Sequence, residues 1–302
     1  MTVQKTILVA GGTGQVARSL TAVPAQEGIQ VIAAGRPHLD LLEEASIRAA
    51  LDKYAPDIIV NAAAYTAVDQ AESDAEAAFA LNAVAPGKLA AIAAERSVPI
   101  IHLSTDYVFD GTQAEPYVES DPVAPLGVYG RSKLAGEQAV AAANPAQIIL
   151  RTAWVYSPFG KNFVKTMLRV ADGRDELGVV HDQRGNPTSA RDIARAILDV
   201  SGQILAAPAD IKSGIYHMSA SGAATWAEFA EFIFATSAVL GGPTARINRI
   251  TSAEYPTPVA RPANSRLDCR KFSSAYGISM PDWQDSTRAC VETLILSGEW
   301  KS

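Results

Sequence analysis

The chain predicts an α/β fold, a doubly wound parallel sheet into which a smaller, irregular C-terminal region is interleaved. Three observations carry that prediction. Short apolar runs at residues 7–10, 29–34, 57–63, 98–104 and 148–154 alternate with segments of helical content. A glycine-rich turn, GGTGQVA, follows the first run. Beyond Trp154 the alternation dissolves into glycine- and proline-punctuated stretches.

Near-continuous apolar strands separated by helices imply parallel neighbours, because each crossover needs a helix and each strand is then covered on both faces. The first helix is expected from Gly14, shortened or bent by Pro24. The alanine-rich segment 75–94 is the clearest helix, with Phe79, Leu81, Leu89 and Ile92 on an apolar stripe and a kink expected at Pro86. After Trp154 come SPFGKNF, HDQRGNPT and PTPVARPANS, too polar and too interrupted for core strands. Loops set on a rigid sheet are where ligand contacts concentrate. A helix over 189–200 and a strand over 214–218 look regular enough to rejoin the sheet.

In GGTGQVA the strand stops, the backbone turns and a helix begins with its first amides facing outward. Bare backbone at Gly11 and Gly14 lets a pyrophosphate approach those amides at Gln15 and Val16, and Ala17 allows close packing of helix on strand. Placed between a strand and a helix at the start of a βαβ series, this is the dinucleotide turn of a Rossmann sheet. The second strand ends in Gly35-Arg36, where an NAD-selective site carries an acidic residue. Arg36 can pair with a 2′-phosphate instead, which favours NADPH and leaves NADH as the alternative. Asp40 and Leu41 are expected to border the adenine. Ala62, Ala63 and Ala64 supply the small side chains needed where a strand end lies against the rest of the cofactor.

The chemistry is expected from Thr105, Tyr129 and Lys133. Tyr129 and Lys133 are four residues apart, hence on one face of a helix, where both can approach the nicotinamide ribose. A phenol of ordinary pKa is protonated at neutral pH and can deliver its proton to a carbonyl oxygen as hydride arrives at carbon. An ammonium about 4 to 5 Å away, at an effective dielectric of about 20, is worth roughly 3 to 4 kcal/mol and is expected to lower the phenol's pKa by about two to three units. Thr105, at the end of a buried strand, supplies a second hydrogen bond to the same oxygen.

Composition narrows the classes. A net charge of −6 offers no basic face for a nucleic-acid backbone. The two cysteines, Cys269 and Cys290, form no CxxC pattern, and the four histidines show no ligand spacing, so no metal site is expected. The apolar run before the first glycines is too short for a leader or a membrane span, and a cytoplasmic chain without membrane partners is expected.

With the turn, the STDYVF strand and the YGRSK helix in hand, the chain resembles the extended short-chain dehydrogenase/reductase family. The resemblance runs nearly the whole length, through VNAAAYTAVDQAE, LRTAWVY, VVHDQRGNPT, GIYHMSASGAATWAEFA and YPTPVARPANSRLD. It implies reduction, by NADPH or NADH, of the 4-keto group of a dTDP-sugar, dTDP-4-dehydro-6-deoxy-L-mannose, with Thr105, Tyr129 and Lys133 catalytic. It also implies Thr66, Val68, Asp106 and Trp154 near the sugar, and Arg261, Asn264 and Ser265 facing the nucleotide. The division it suggests is an NADP(H)-binding Rossmann domain at 1–155 and 188–218, with a nucleotide-sugar-binding region at 156–187 and 219–302. Some members of the family are dimers bridged by Mg; here Ser19 and Arg191 stand at those places, so no metal and a monomer or weak homodimer are expected. Two other readings stay open. An epimerase or dehydratase of the same superfamily holds its NAD tightly, but a dehydratase needs a carboxylate after the aspartate, and here Tyr107 follows Asp106. A catalytically silent nucleotide-binding subunit has the same fold, though an intact Thr105, Tyr129 and Lys133 argue against lost catalysis.

Overall fold

The computed structural model describes residues 4–301. In chain order the first half runs β1 (Lys5–Ala10), α1 (Gln15–Ala22), β2 (Ile29–Ala34), α2 (Glu44–Tyr54), β3 (Ile58–Asn61), α3 (Val68–Ala71), α4 (Ala75–Phe79), α5 (Ala85–Glu95), β4 (Ile100–Thr105), α6 (Val128–Ala143) and β5 (Gln147–Thr152). The second half contains β6 (Val155–Tyr156), α7 (Phe163–Ala171), β7 (Glu176–Val180), β8 (Arg184–Gly185), β9 (Thr188–Ser189), α8 (Ala190–Ala206) and β10 (Gly214–His217). It ends with β11 (Ala224–Thr225), α9 (Trp226–Val239), β12 (Arg246–Ile250), α10 (Arg270–Tyr276) and α11 (Trp283–Ser297).

Six strands form one parallel sheet in the order β10-β5-β4-β3-β1-β2. Side chains alternate across it: Ile7 and Val9 pack with α1, α8 and α10 on one face, Leu8 and Ala10 with α2, α5 and α6 on the other. β1 lies between β2 and β3, so the winding reverses there, and the carboxyl ends of these strands border the crevice where ligands bind in such sheets. The strand expected at 214–218 does rejoin the sheet, as its edge beside β5. A separate apolar cluster built on Tyr156, α7, α9 and α11 fills the C-terminal part.

Three expectations shift in detail. α1 ends at Ala22, two residues before Pro24, which shortens it rather than bending it. The expected kink at Pro86 is a π-helical turn over Ala80–Val84 within one continuous helical run, Ala75–Glu95. Pro86 has no N–H to close the bond to Asn82, and the widened turn absorbs the loss. That run is, among the described residues, the one helix long and apolar enough to cross a membrane, and half of it is buried inside the protein. Finally, β5 stops at Thr152, because Trp154 takes a left-handed backbone (φ +47°) that swings the chain into β6.

Candidate active site

Gly11 follows β1 at φ +109°, and a Cβ there would come within 2.9 Å of the Ala63 amide nitrogen. The turn is therefore closed against the loop after β3 by backbone alone. Gly14 caps α1 without any side-chain hydrogen bond, and no acidic residue occupies the first helical turn. The first amides of α1, at Gln15 and Val16, thus keep their positive field for an anion. The Gln15 side chain, in contrast, is engaged: its Oε1 accepts from Ser157 Oγ at 2.8 Å and Asn162 Nδ2 at 3.0 Å. Arg18 lies 4.2 Å under the Phe159 ring, so the SPFGKN loop is fastened over the start of α1.

Arg36 is exposed and makes no ion pair with the described residues. Asp40 receives the Leu42 amide at 3.0 Å, and Leu41 is buried in the core beside α2. Ala62, Ala63 and Ala64 are half-buried where β3 ends beside the Gly11 turn. The next residue, Tyr65, exchanges hydrogen bonds with the Asn82 side chain, which also donates to Ser132 Oγ on α6 at 3.0 Å. The π-helical turn therefore places the residue that ties the loop after β3 to α6, the helix that bears Tyr129 and Lys133.

That helix is seated by two local devices. Glu72 accepts the Val128 amide at 2.6 Å and puts a carboxylate on the positive end of α6. Gly130 lets α6 press onto the turn after β4, since a Cβ there would stand 2.2 Å from the Tyr107 carbonyl oxygen. The phenol of Tyr129 is thereby brought beside Thr105. Thr105 Oγ1 donates to Asp106 Oδ1 at 3.0 Å and accepts the Tyr107 amide at 3.2 Å.

Here one expectation is corrected. Burial pushes the Tyr129 phenol up to about 12, with the Thr105 hydroxyl pulling it down and Asp106 pushing it further up. Lys133 does not lower it, because its ammonium turns to the strand and donates to the Leu103 carbonyl at 2.7 Å. Lys133 is itself 2% exposed, and burial brings it down to about 8, opposed by the Glu137 carboxylate. Asp106 is raised to about 6 by burial, against the hydroxyls of Ser265 and Thr105.

The expected sugar-side residues lie around this centre. Thr66 is exposed, and the half-buried Val68 opens α3. Arg261 pairs with Asp69 at 2.7 Å and stands 6.0 Å over the Tyr107 ring, which in turn meets Tyr129 edge-on at 5.6 Å. Trp154 stacks on Trp226 with ring centroids 3.5 Å apart and donates from Nε1 to Ser265 Oγ at 3.2 Å. Asn264 has both amide hydrogens on the Gln113 and Glu115 carbonyls, and its Oδ1 accepts from Arg266. Its side chain is a brace for the 113–115 loop, and its backbone amide is engaged as well, donating to the Gly111 carbonyl at 3.2 Å. Sequence reasoning missed Trp226 and Glu137. Glu137 continues the i, i+4 series that begins at Tyr129, a signal present in YGRSKLAGE.

A dinucleotide-type turn, a winding reversal beside it and a threonine, tyrosine and lysine gathered at the same strand ends define an extended short-chain dehydrogenase/reductase. The model of the family described as "RmlD substrate binding domain" matches residues 5–296. A dTDP-4-dehydrorhamnose reductase of Sinorhizobium fredii is 49% identical over 97% of this chain and 99% of its own. Among solved structures, the dTDP-4-dehydrorhamnose reductase of Clostridium acetobutylicum is 36% identical with a TM-score of 0.88, covering 96% of this chain and 99% of its own. That of Bacillus anthracis, in complex with NADP, is 30% identical with a TM-score of 0.89, covering 96% of this chain and 100% of its own. The chain belongs to the dTDP-4-dehydrorhamnose reductase family.

Proposed function

We propose that this chain reduces the 4-keto group of dTDP-4-dehydro-6-deoxy-L-mannose to give dTDP-L-rhamnose, with NADPH as the reductant and Tyr129 as the proton donor. The observation that carries the reading is the convergence of Tyr129, Thr105 and Lys133 at the strand ends beside the Gly11 turn. The residues present fit the dinucleotide: a Cβ at Gly11 would fill the cradle, the start of α1 carries no competing cap, and Arg36 is free for a 2′-phosphate. NADPH supplies the hydride.

Tyr129 then releases its proton to the carbonyl oxygen, and a phenol held up to about 12 stays protonated across the neutral range until that oxygen becomes basic. Thr105 would turn its hydroxyl hydrogen from Asp106 to the same oxygen, where negative charge develops. Lys133, its ammonium held on the Leu103 carbonyl and not on the phenol, shares the face of α6 with Tyr129 and would reach the nicotinamide ribose, keeping the bound cofactor beside that phenol. The phenolate regains its proton from solvent. We take residues 1–155 and 188–218 as the part that holds NADPH, and 156–187 with 219–302 as the part that holds the sugar nucleotide. From that second part Trp226, stacked on Trp154, and Arg261 border the catalytic turn.

A dehydratase is disfavoured because the residue after Asp106 is the half-buried Tyr107, whose phenol desolvation pushes well up, leaving no base there to remove a sugar proton. The test is to supply the purified protein with NADPH and the 4-keto sugar nucleotide. NADPH consumption matched by dTDP-L-rhamnose is expected. Stoichiometric NAD retained by the protein, without NADPH turnover, would replace this reading with an epimerase or dehydratase.

A further inference from the structure

Three residues of α6 follow one another at i, i+4 steps on one face, namely Tyr129, Lys133 and Glu137. The first two belong to the chemistry; the third has no part in it yet sits at the centre of a buried charged cluster. Glu137 is 1% exposed and accepts Ser104 Oγ at 2.5 Å, Arg151 Nε at 2.9 Å and Arg151 Nη2 at 2.7 Å. Ser104 and Arg151 are register partners on β4 and β5, one residue before Thr105 and Thr152. A single carboxylate therefore joins the helix that bears Tyr129 and Lys133 to the strand that bears Thr105.

Stability alone does not account for this arrangement, since a buried ion pair is often replaceable by packed apolar side chains at no loss. The surroundings of Lys133 supply a reason. From β4 it meets His102, held neutral by burial and by Lys133 itself. From β5 the cluster holds Arg151, whose Nη1 has no hydrogen-bond partner, and from β10 His217, held neutral by burial and by Arg151. Asp106, beyond β4, acts on Tyr129. The negative charge acting on the Lys133 ammonium is Glu137.

We propose that Glu137, oriented by Arg151 and Ser104, is a positioning residue that keeps the buried Lys133 charged and locks α6 against β4 so that Tyr129 and Thr105 address the same oxygen. The proposal rests on the role given to Lys133 above. Its test compares wild type with Glu137→Gln and Glu137→Asp in three measurements. These are the pH profile of kcat/KM, the affinity for NADPH followed by fluorescence at pH 6 and pH 9, and the thermal unfolding midpoint.

For Glu137→Gln, the alkaline limb of the profile is expected to move down by about one pH unit, as loss of a charge one helical turn away implies. NADPH affinity is expected to fall at pH 9 and to hold at pH 6, where the ammonium is protonated in both proteins. Glu137→Asp is expected to return the limb toward wild type. An equal loss at every pH, with an unmoved limb and a lowered midpoint, would make Glu137 a purely structural ion pair and overturn the proposal. Should neither variant fold, the 13C signal of Lys133 Cε in wild type decides: titration near pH 8 or above is expected, and titration below about pH 6.5 overturns it. If wild type consumes no NADPH, the function reading fails, while the affinity and titration measurements still decide the role of Glu137.

Discussion

The turn at Gly11 and the face of α6 that bears Tyr129 and Lys133 meet at the same strand ends but are made of opposite materials. The turn works by absence: bare backbone, an uncapped helix start and no nearby acid. The helix face works by accumulation, with Lys133 and Glu137 on α6 and His102, Arg151 and His217 on the strands packed against it, all buried. Backbone amides are already polar and need no ionisation to hold an anion, whereas transferring a proton needs groups whose charge can change. Such groups are costly to bury, so each needs a partner or must stay neutral. With the roles proposed for them, the two regions separate binding from chemistry, and substitutions in each should fail in different ways.

The largest effect is expected on the helix side. Tyr129→Phe removes the proposed acid and leaves the turn untouched, so turnover should fall about 10²–10⁴-fold while NADPH affinity stays within a few-fold of wild type. Stopped-flow reduction together with a binding titration checks both; a variant with wild-type turnover would end the assignment of Tyr129. The mirror experiment is Gly11→Ala. A Cβ at φ +109°, 2.9 Å from the Ala63 amide nitrogen, must push the two loops apart. NADPH affinity should drop tenfold or more, at a stability cost of about 1–3 kcal/mol.

Lys133→Met sharpens the contrast, because function and stability should move in opposite directions. The folded-state pKa of Lys133 lies near 8, below its ordinary value of 10.5. The unfolded chain therefore binds the proton more readily, and the group costs stability as pH falls from about 10 to below 8. Methionine abolishes that cost, offset in part by leaving the Leu103 carbonyl without its donor. At pH 7 the variant should unfold at a higher temperature than wild type while losing most of its turnover, and the stability gain should vanish above pH 10. The smallest effect is expected at the rim of the cradle: Arg36→Asp should shift the ratio of kcat/KM for NADPH over NADH toward NADH by about tenfold or more. An unchanged ratio would return Arg36 to the solvent.

Much of this was legible in the chain. The five apolar runs, the glycine turn and the spacing of Tyr129 and Lys133 located the sheet, the crevice and the helix face, because period and backbone freedom are local properties. Less legible were partnerships that cross the sheet. The side chains of Gln15, Asn264 and Ser265 look like ligand contacts in sequence, yet each is engaged by residues more than eighty positions away or by a neighbouring loop. The direction of the Tyr129 shift was misjudged for the same reason: helical spacing puts Lys133 on the right face, but burial and the Leu103 carbonyl decide where its charge goes.

By itself, then, the order of residues determined the parallel winding, the bare turn after β1 and which side chains share the inner face of α6, since these follow from periodicity and from where glycine stands. Tertiary structure alone decided which polar groups are left for a ligand and which are consumed within the protein. It also decided which buried charges survive. The physical reason is that solvent exclusion and long-range pairing are set by the packing of β4, β5, β10 and α6 together, and no stretch of neighbouring residues records that.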